Sequence, residues 1–147
     1  MRALAQRVFQ ASVIVDGTLV SHIGVGLLVF LGIKFDDTSD DTNYIIRKLL
    51  NLRVFPDNNC NMNKSVVDVG GEILLVSQFT LYGDCRKGNR PSFAKAMPPE
   101  KAKEFYANFL DRLKSEYKYV KDGIFGADMK VSLVNDGPVT IFIDSVR

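Results

Sequence analysis

Ser77-Gln78-Phe79-Thr80-Leu81 sets two hydroxyls and a side-chain amide directly after the apolar run Ile73-Leu74-Leu75-Val76. The C-terminal ends of strands, and the loops after them, are favoured ligand sites in α/β sheets. Three readings fit. Ser77 or Thr80 is a nucleophile, although no base stands beside either in the sequence. The main-chain N–H groups of Phe79 and Thr80 line an oxyanion hole. Or the hydroxyls only cap a strand end. A second stretch is Asn135-Asp136-Gly137-Pro138-Val139-Thr140, between the alternating runs Met129 to Val134 and Val139 to Ile143. Proline has no N–H for a sheet and restricts the residue before it, and glycine takes backbone angles closed to other residues. The hexapeptide is therefore a strand-to-strand turn or a main-chain device aiming the Asp136 and Gly137 carbonyls at a ligand.

The remaining chemistry is sparse. The chain has one histidine, His22, so a Ser-His-Asp or Cys-His arrangement has to use it. It lies in an early strand-like stretch and reads as a strand or surface residue. One histidine with two distant cysteines, Cys60 and Cys85, disfavours a zinc site of Cys and His ligands and fits free thiols in a reducing compartment. No cofactor or metal is called for, and any catalysis has to run without a histidine base. Gly123-Ile124-Phe125-Gly126-Ala127-Asp128-Met129 holds an aromatic between glycines, which is either a hydrophobic plug under a loop or a ring that stacks on a base. Arg90-Pro91-Ser92-Phe93 is a substrate-loop anchor or a turn into a helix. The formal net charge of +2 does not by itself argue for nucleic acid. Arg86, Lys87, Arg90 and Lys95 do cluster, either as a solvated face or to meet phosphates.

These residues need elements to position them. A 46% hydrophobic and 24% charged composition is ordinary for a globular chain, and residues 1–147 read as one domain. No apolar run approaches the roughly 18 residues of a membrane span. Met1 to Arg7 lacks the continuous apolar core of a signal peptide, so the expectation is a cytoplasmic protein without a membrane partner. Arg2 to Val8 alternates, and Ser12 to Val15 and Thr18 to Ile23 flank the hairpin signal Asp16-Gly17. Val25 to Phe35 and Glu72 to Phe79 read as buried strands. Asp36 to Asp41 supplies N-caps for a helix carrying Tyr44, Ile45, Leu49, Leu50 and Leu52 at helical spacing. Pro98-Pro99-Glu100 opens a second helix, with a stripe from Ala102 to Leu113 that reads as core. Asn61 to Val69 is an irregular or weakly extended segment, and Lys118 to Gly126 a loop. The order is an α/β fold: a layered mixed sheet with two main helices packed on it.

Taken together, the chain resembles the D-aminoacyl-tRNA deacylase family over nearly its whole length. The likeness runs through Met1 to Val8, Gly26 to Gly32, Asn61-Met62-Asn63, Val76 to Leu81, Arg90 to Phe93, Phe125 to Met129 and Asn135 to Thr140. Ser77 to Leu81 followed by Gly137 to Thr140 is its most specific part. The resemblance implies hydrolysis of the ester joining a D-amino acid, or mischarged glycine, to the terminal adenosine of tRNA, sparing L-aminoacyl esters. It implies a homodimer in which a cis Gly137-Pro138 enters the partner's pocket, meets the amino group and closes the space an L side chain needs. By the same carry-over, Arg7 braces that motif. Ser77, Gln78, Phe79 and Thr80 line the pocket with N–H groups near the ester, and Phe125 with Met129 and their neighbours holds the adenine. The chain departs from the family pattern at Asn61, where many relatives have lysine, and at Ile124, where many have arginine. Two other classes stay open: a nucleic-acid-binding module using Arg86 to Lys95, and an esterase with Thr80 as nucleophile.

Overall fold

The computed structural model describes residues 1–146. One strand, β1 (Arg2–Val15), organises the sheet. The two early runs are one continuous strand because both find a neighbour along the same line. Residues 2–8 pair antiparallel with β3 (Gly26–Gly32), and residues 11–15 with β2 (Thr18–Ile23). Asp16 and Gly17 turn the β1–β2 hairpin with φ of 49° and 77°, the positive angles that a tight hairpin turn demands.

β3 continues parallel to β6 (Glu72–Ser77), and β6 parallel to β7 (Val120–Asp122). The other edge of β1 is covered along its length by β8 (Met129–Asp144). A small second sheet joins β4 (Phe55–Pro56) and β5 (Met62–Lys64). Helix α1 (Ser39–Asn51) begins at a Thr38–Asp41 capping box, and α2 (Pro99–Glu116) has its proline in the first turn.

Alternation along the strands builds two cores. Leu27, Val29 and Leu31 of β3 face the helices and pack with Ile45, Leu49, Tyr106 and Phe109. Leu28, Leu74, Val76, Val8 and Val13 pack on the other face. The sheet curls over that face. The Lys121 Nζ donates to the His22 carbonyl at 2.6 Å, the Ser21 Oγ to the Asp122 carbonyl at 2.5 Å and the Gly24 N–H to Glu72 at 2.7 Å, drawing β2 toward β6 and β7. Two buried faces are why β3 and β6 are apolar without alternation.

The layered α/β architecture with two main helices is as expected, with two local differences. Lys118 to Gly126 is not all loop. It holds β7, which has one buried apolar residue, Val120, and is fixed by its parallel neighbour. The hexapeptide 135–140 does not turn one strand into another, since both of its flanks pair with β1. Among the described residues no helix is long and apolar enough to cross a membrane.

Candidate active site

A cavity of about 780 Å³ opens at the C-terminal end of β6. Ser77, the last residue of β6, and Gln78 and Phe79 after it form one side. Phe93, Ala94, Ala96 and Met97 form the lip, and Phe125 and Met129 face them. The chain leaves β6 into a 3₁₀ turn, Phe79–Tyr82. The first N–H groups of a helical turn have no acceptor within it, and here they belong to Phe79 and Thr80. Gln78 is pinned by its own N–H, which donates to the Leu31 carbonyl at 2.8 Å. Its side-chain amide donates to the Thr80 hydroxyl. Thr80 is exposed and does not line the cavity.

Phe125 packs as the plug reading expects and faces the cavity. Its ring packs on Tyr106 of α2 at 5.5 Å between centroids, and it also lines the cavity. Tyr106 is held by a hydrogen bond from its hydroxyl to the Leu75 carbonyl, 3.1 Å. Met129 packs closely over Gly123, where a Cβ would lie 2.6 Å from the Met129 sulfur. His22 stands exposed on β2 and is not part of the cavity. Both cysteines are free and exposed, and among the described residues no three His, Cys, Asp or Glu side chains are placed to hold a metal.

Arg7, Gly137 and Pro138 form a separate group. β8 pairs with β1 at Val8↔Asn135 and again at Gln6↔Thr140. Residues 136–139 thus bulge outward opposite the single residue Arg7. The Gly137-Pro138 peptide is cis, and Asp136, Gly137 and Pro138 are exposed. Asn135 closes the neck of the bulge, its side-chain amide donating to the carbonyls of Arg7 at 2.8 Å and Val139 at 2.9 Å. The Arg7 Nε lies 3.2 Å from the Asp136 carbonyl and 3.0 Å from its carboxylate, while Nη1 donates to the Val54 carbonyl at 2.5 Å. Gly137 has φ +120°, and a Cβ there would lie 2.8 Å from Arg7 Nη2 and 2.9 Å from the Val139 side chain. None of Arg7, Gly137 and Pro138 lines the cavity of the same chain.

A family model described as D-Tyr-tRNA(Tyr) deacylase matches residues 4–144. The chain belongs to this family. Membership in this deacylase family makes it an enzyme of the hydrolase class. Among its relatives, a protein named D-aminoacyl-tRNA deacylase from Clostridium beijerinckii is 57% identical over 147 residues, covering 100% of this chain and 99% of that one. A protein of the same name from Thermodesulfovibrio yellowstonii is 55% identical over 145 residues, covering 99% of each chain. Among solved structures, "c-Myc DNA Unwinding Element Binding Protein" is 50% identical with TM-score 0.94 and 98% coverage of each chain. A probable eukaryotic D-amino acid tRNA deacylase shares the fold alone, at 18% identity and TM-score 0.84 over 97% of each chain.

Sequence reading assigned Ser77, Gln78, Phe79 and Thr80 to the chemistry, and Gly137, Pro138, Arg7, Phe125 and Met129 to substrate binding and chiral selection. The fold brings Ser77, Gln78, Phe79, Phe125 and Met129 to one cavity and leaves Thr80 off its lining, while Arg7, Gly137 and Pro138 meet in the bulge. Within one chain the structure does not join the two groups. Sequence reading missed the part of Asn135, whose side chain fixes the neck. The signal was available in part, since a short polar side chain that bonds nearby backbone commonly precedes an irregular main-chain segment.

Proposed function

We propose that this chain hydrolyses the ester between a D-amino acid, or glycine, and the terminal adenosine of tRNA, and leaves L-aminoacyl esters intact. The observation that carries the reading is the split site. The cavity has main-chain donors at its strand end, and none of Arg7, Gly137 and Pro138 of the same chain lines it. A braced, exposed Gly137-Pro138 bulge lies elsewhere on the same chain. Two copies, each inserting its bulge into the other's cavity, complete two sites, so the working form is a homodimer.

In this reading the cavity takes the aminoacylated adenosine. The N–H of Phe79, which lines the cavity, stabilises the oxyanion formed when water attacks the ester carbonyl, with the Thr80 N–H next to it in the turn, and the ribose 2′-hydroxyl assists the proton transfers. Removing one such donor commonly costs about 10²–10³ in rate. The partner's Gly137 and Pro138 carbonyls receive the amino group of the substrate and occupy the space into which an L side chain would project. A gate of main chain accepts many D side chains and rejects the mirror arrangement by collision. The Asp136 carbonyl is less suited to that task than the sequence suggests, because Arg7 already donates to it. The competing role of Thr80 as nucleophile finds little support, since its hydroxyl takes the Gln78 amide and lies off the cavity wall.

The test is release of free amino acid from D-aminoacyl-, glycyl- and L-aminoacyl-tRNA by the purified protein. Release from the first two and none above the spontaneous rate from the third is the expected result. Binding of tRNA without release on any of them would replace the proposal with a nucleic-acid-binding role.

A further inference from the structure

The segment running from the 3₁₀ turn to α2 is a basic finger attached to the cavity lip. Its base is closed by two backbone hydrogen bonds, from the Asp84 N–H to the Ser92 carbonyl at 2.9 Å and from the Ser92 N–H to the Asp84 carbonyl at 3.0 Å. Pro91 and Phe93 fold back over Gly83, where a Cβ would lie 3.1 Å from the Phe93 ring and 3.6 Å from Pro91. Phe93 then packs edge-on against Phe79, 5.0 Å between centroids. Beyond it, the Phe35 N–H donates to the Lys95 carbonyl at 3.2 Å and the Met97 N–H to the Ile33 carbonyl at 2.9 Å. The finger is thus fixed to the wall that carries Phe79.

Its charge is unbalanced. Asp84 is the finger's one acid, and Arg86 engages it with three side-chain contacts between 2.5 and 3.1 Å. Those hydrogen bonds hold the Asp84 carboxyl well below the usual carboxylate range, and the nearby charge of Lys95 adds to the effect. Asp84 and Arg86 cancel. Lys87, Arg90 and Lys95 remain, all exposed and, among the described residues, without an ion pair to Asp or Glu. Lys95 stands between Ala94 and Ala96, both of which line the cavity.

We propose that Lys87, Arg90 and Lys95 form a phosphate-binding lip that seats the single-stranded acceptor end of the RNA as its terminal nucleoside enters the cavity. The inference rests on the deacylase reading above. An adenosine ester held in the cavity trails a chain of phosphates out past this lip. Three cations anchored there neutralise those phosphates without reading sequence. Each lost contact with a single strand lowers the slope of log affinity against log salt by about 0.7, which at 0.1 M salt is roughly a fivefold loss of affinity.

The experiment compares the protein with its Lys87→Gln/Arg90→Gln/Lys95→Gln variant on two substrates, D-aminoacyl-tRNA and the phosphate-free 3′-(D-aminoacyl)adenosine, across a salt series. An Arg47→Gln/Lys48→Gln variant on α1, two charges against three, controls for loss of exposed positive charge away from the lip. The expected result is a fall in kcat/KM on the tRNA of roughly 10²-fold at 0.1 M salt for three contacts, with a flattened salt dependence. On the phosphate-free ester the variant matches the parent protein, which also shows that it is folded. An unchanged tRNA rate, an equal loss on both substrates, or an equal loss from the α1 variant overturns the lip. Failure of the parent protein on both substrates overturns the deacylase reading and the lip with it.

Discussion

Replacing Gly137 by alanine probes the bulge where its geometry is tightest. The residue sits at φ +120°, and a Cβ would meet Arg7 Nη2 at 2.8 Å and the Val139 side chain at 2.9 Å. Arg7 cannot swing aside freely, because Nη1 is bound to the Val54 carbonyl and Nε to Asp136. Restoring ordinary contact needs a shift of about 0.6 Å at Arg7 or in the bulge. The backbone conformation adds strain of about 1–3 kcal/mol for a non-glycine residue. The bulge is exposed, so it relieves that strain by moving, and the global fold loses little. A displacement near 1 Å in a positioning element costs about 10²-fold in rate. The expected outcome is a fall in kcat/KM on D-aminoacyl-tRNA of roughly 10- to 10²-fold. Melting temperature falls by no more than a few degrees. A parallel assay on L-aminoacyl-tRNA reads whether the gate has also become permissive. Unchanged kinetics on both enantiomers would refute the idea that Gly137 positions a chiral gate.

Three further outcomes concern the bulge, the end of β6 and the tie between β2 and β6. Arg7→Lys keeps the charge but loses the planar fork that serves the Val54 carbonyl and both Asp136 oxygens. It should lower D-ester kcat at least about tenfold, and wild-type kinetics would remove Arg7 from the gate. Thr80→Ala should retain activity within a few-fold, whereas an acyl-enzyme trapped on Thr80 in the parent protein would establish it as nucleophile. Glu72 has its carboxyl pKa lowered from 4.5, first by the hydrogen bond from the Gly24 N–H and then by Lys121. A carboxyl depressed in the folded state stabilises fully above its unfolded value, and that contribution is lost as pH falls through the folded one. Melting temperature should therefore drop as pH is lowered below about 4.5. The drop should be shallower in Glu72→Gln, and parallel curves for the two proteins would count against Glu72 as a pH-dependent tie.

The parts legible in the sequence are those set by local pattern. Leu27 to Leu31 and Ile73 to Val76 announce buried strands because both of their faces are covered. Thr38 with Asp41 and Pro99 mark helix starts through groups that complete the first turn. Elements fixed by distant partners were harder to read. Val120-Lys121-Asp122 is a strand only because β6 lies beside it. The hexapeptide resembles a turn because local sequence does not reveal that Asn135 and Thr140 share one neighbour, β1. Of the site, the strand-end cluster and Phe125 with Met129 were legible as residues. Their meeting in one cavity depended on the fold, as did the separation of Gly137 and Pro138 from it.

That separation makes complementation the most direct measurement. One chain carries Gly137→Ala, spoiling its bulge. The other carries Ala94→Trp, which fills the cavity from an exposed lip position. The two are co-expressed with different tags and purified in tandem, so that only mixed pairs are assayed on D-aminoacyl-tRNA. Each variant paired with itself should be at least about tenfold less active than the parent protein. The mixed pair joins an intact cavity to an intact bulge from the other chain, and the expected result is activity from one working site of the two. A mixed pair no more active than either variant paired with itself would contradict a site shared between copies.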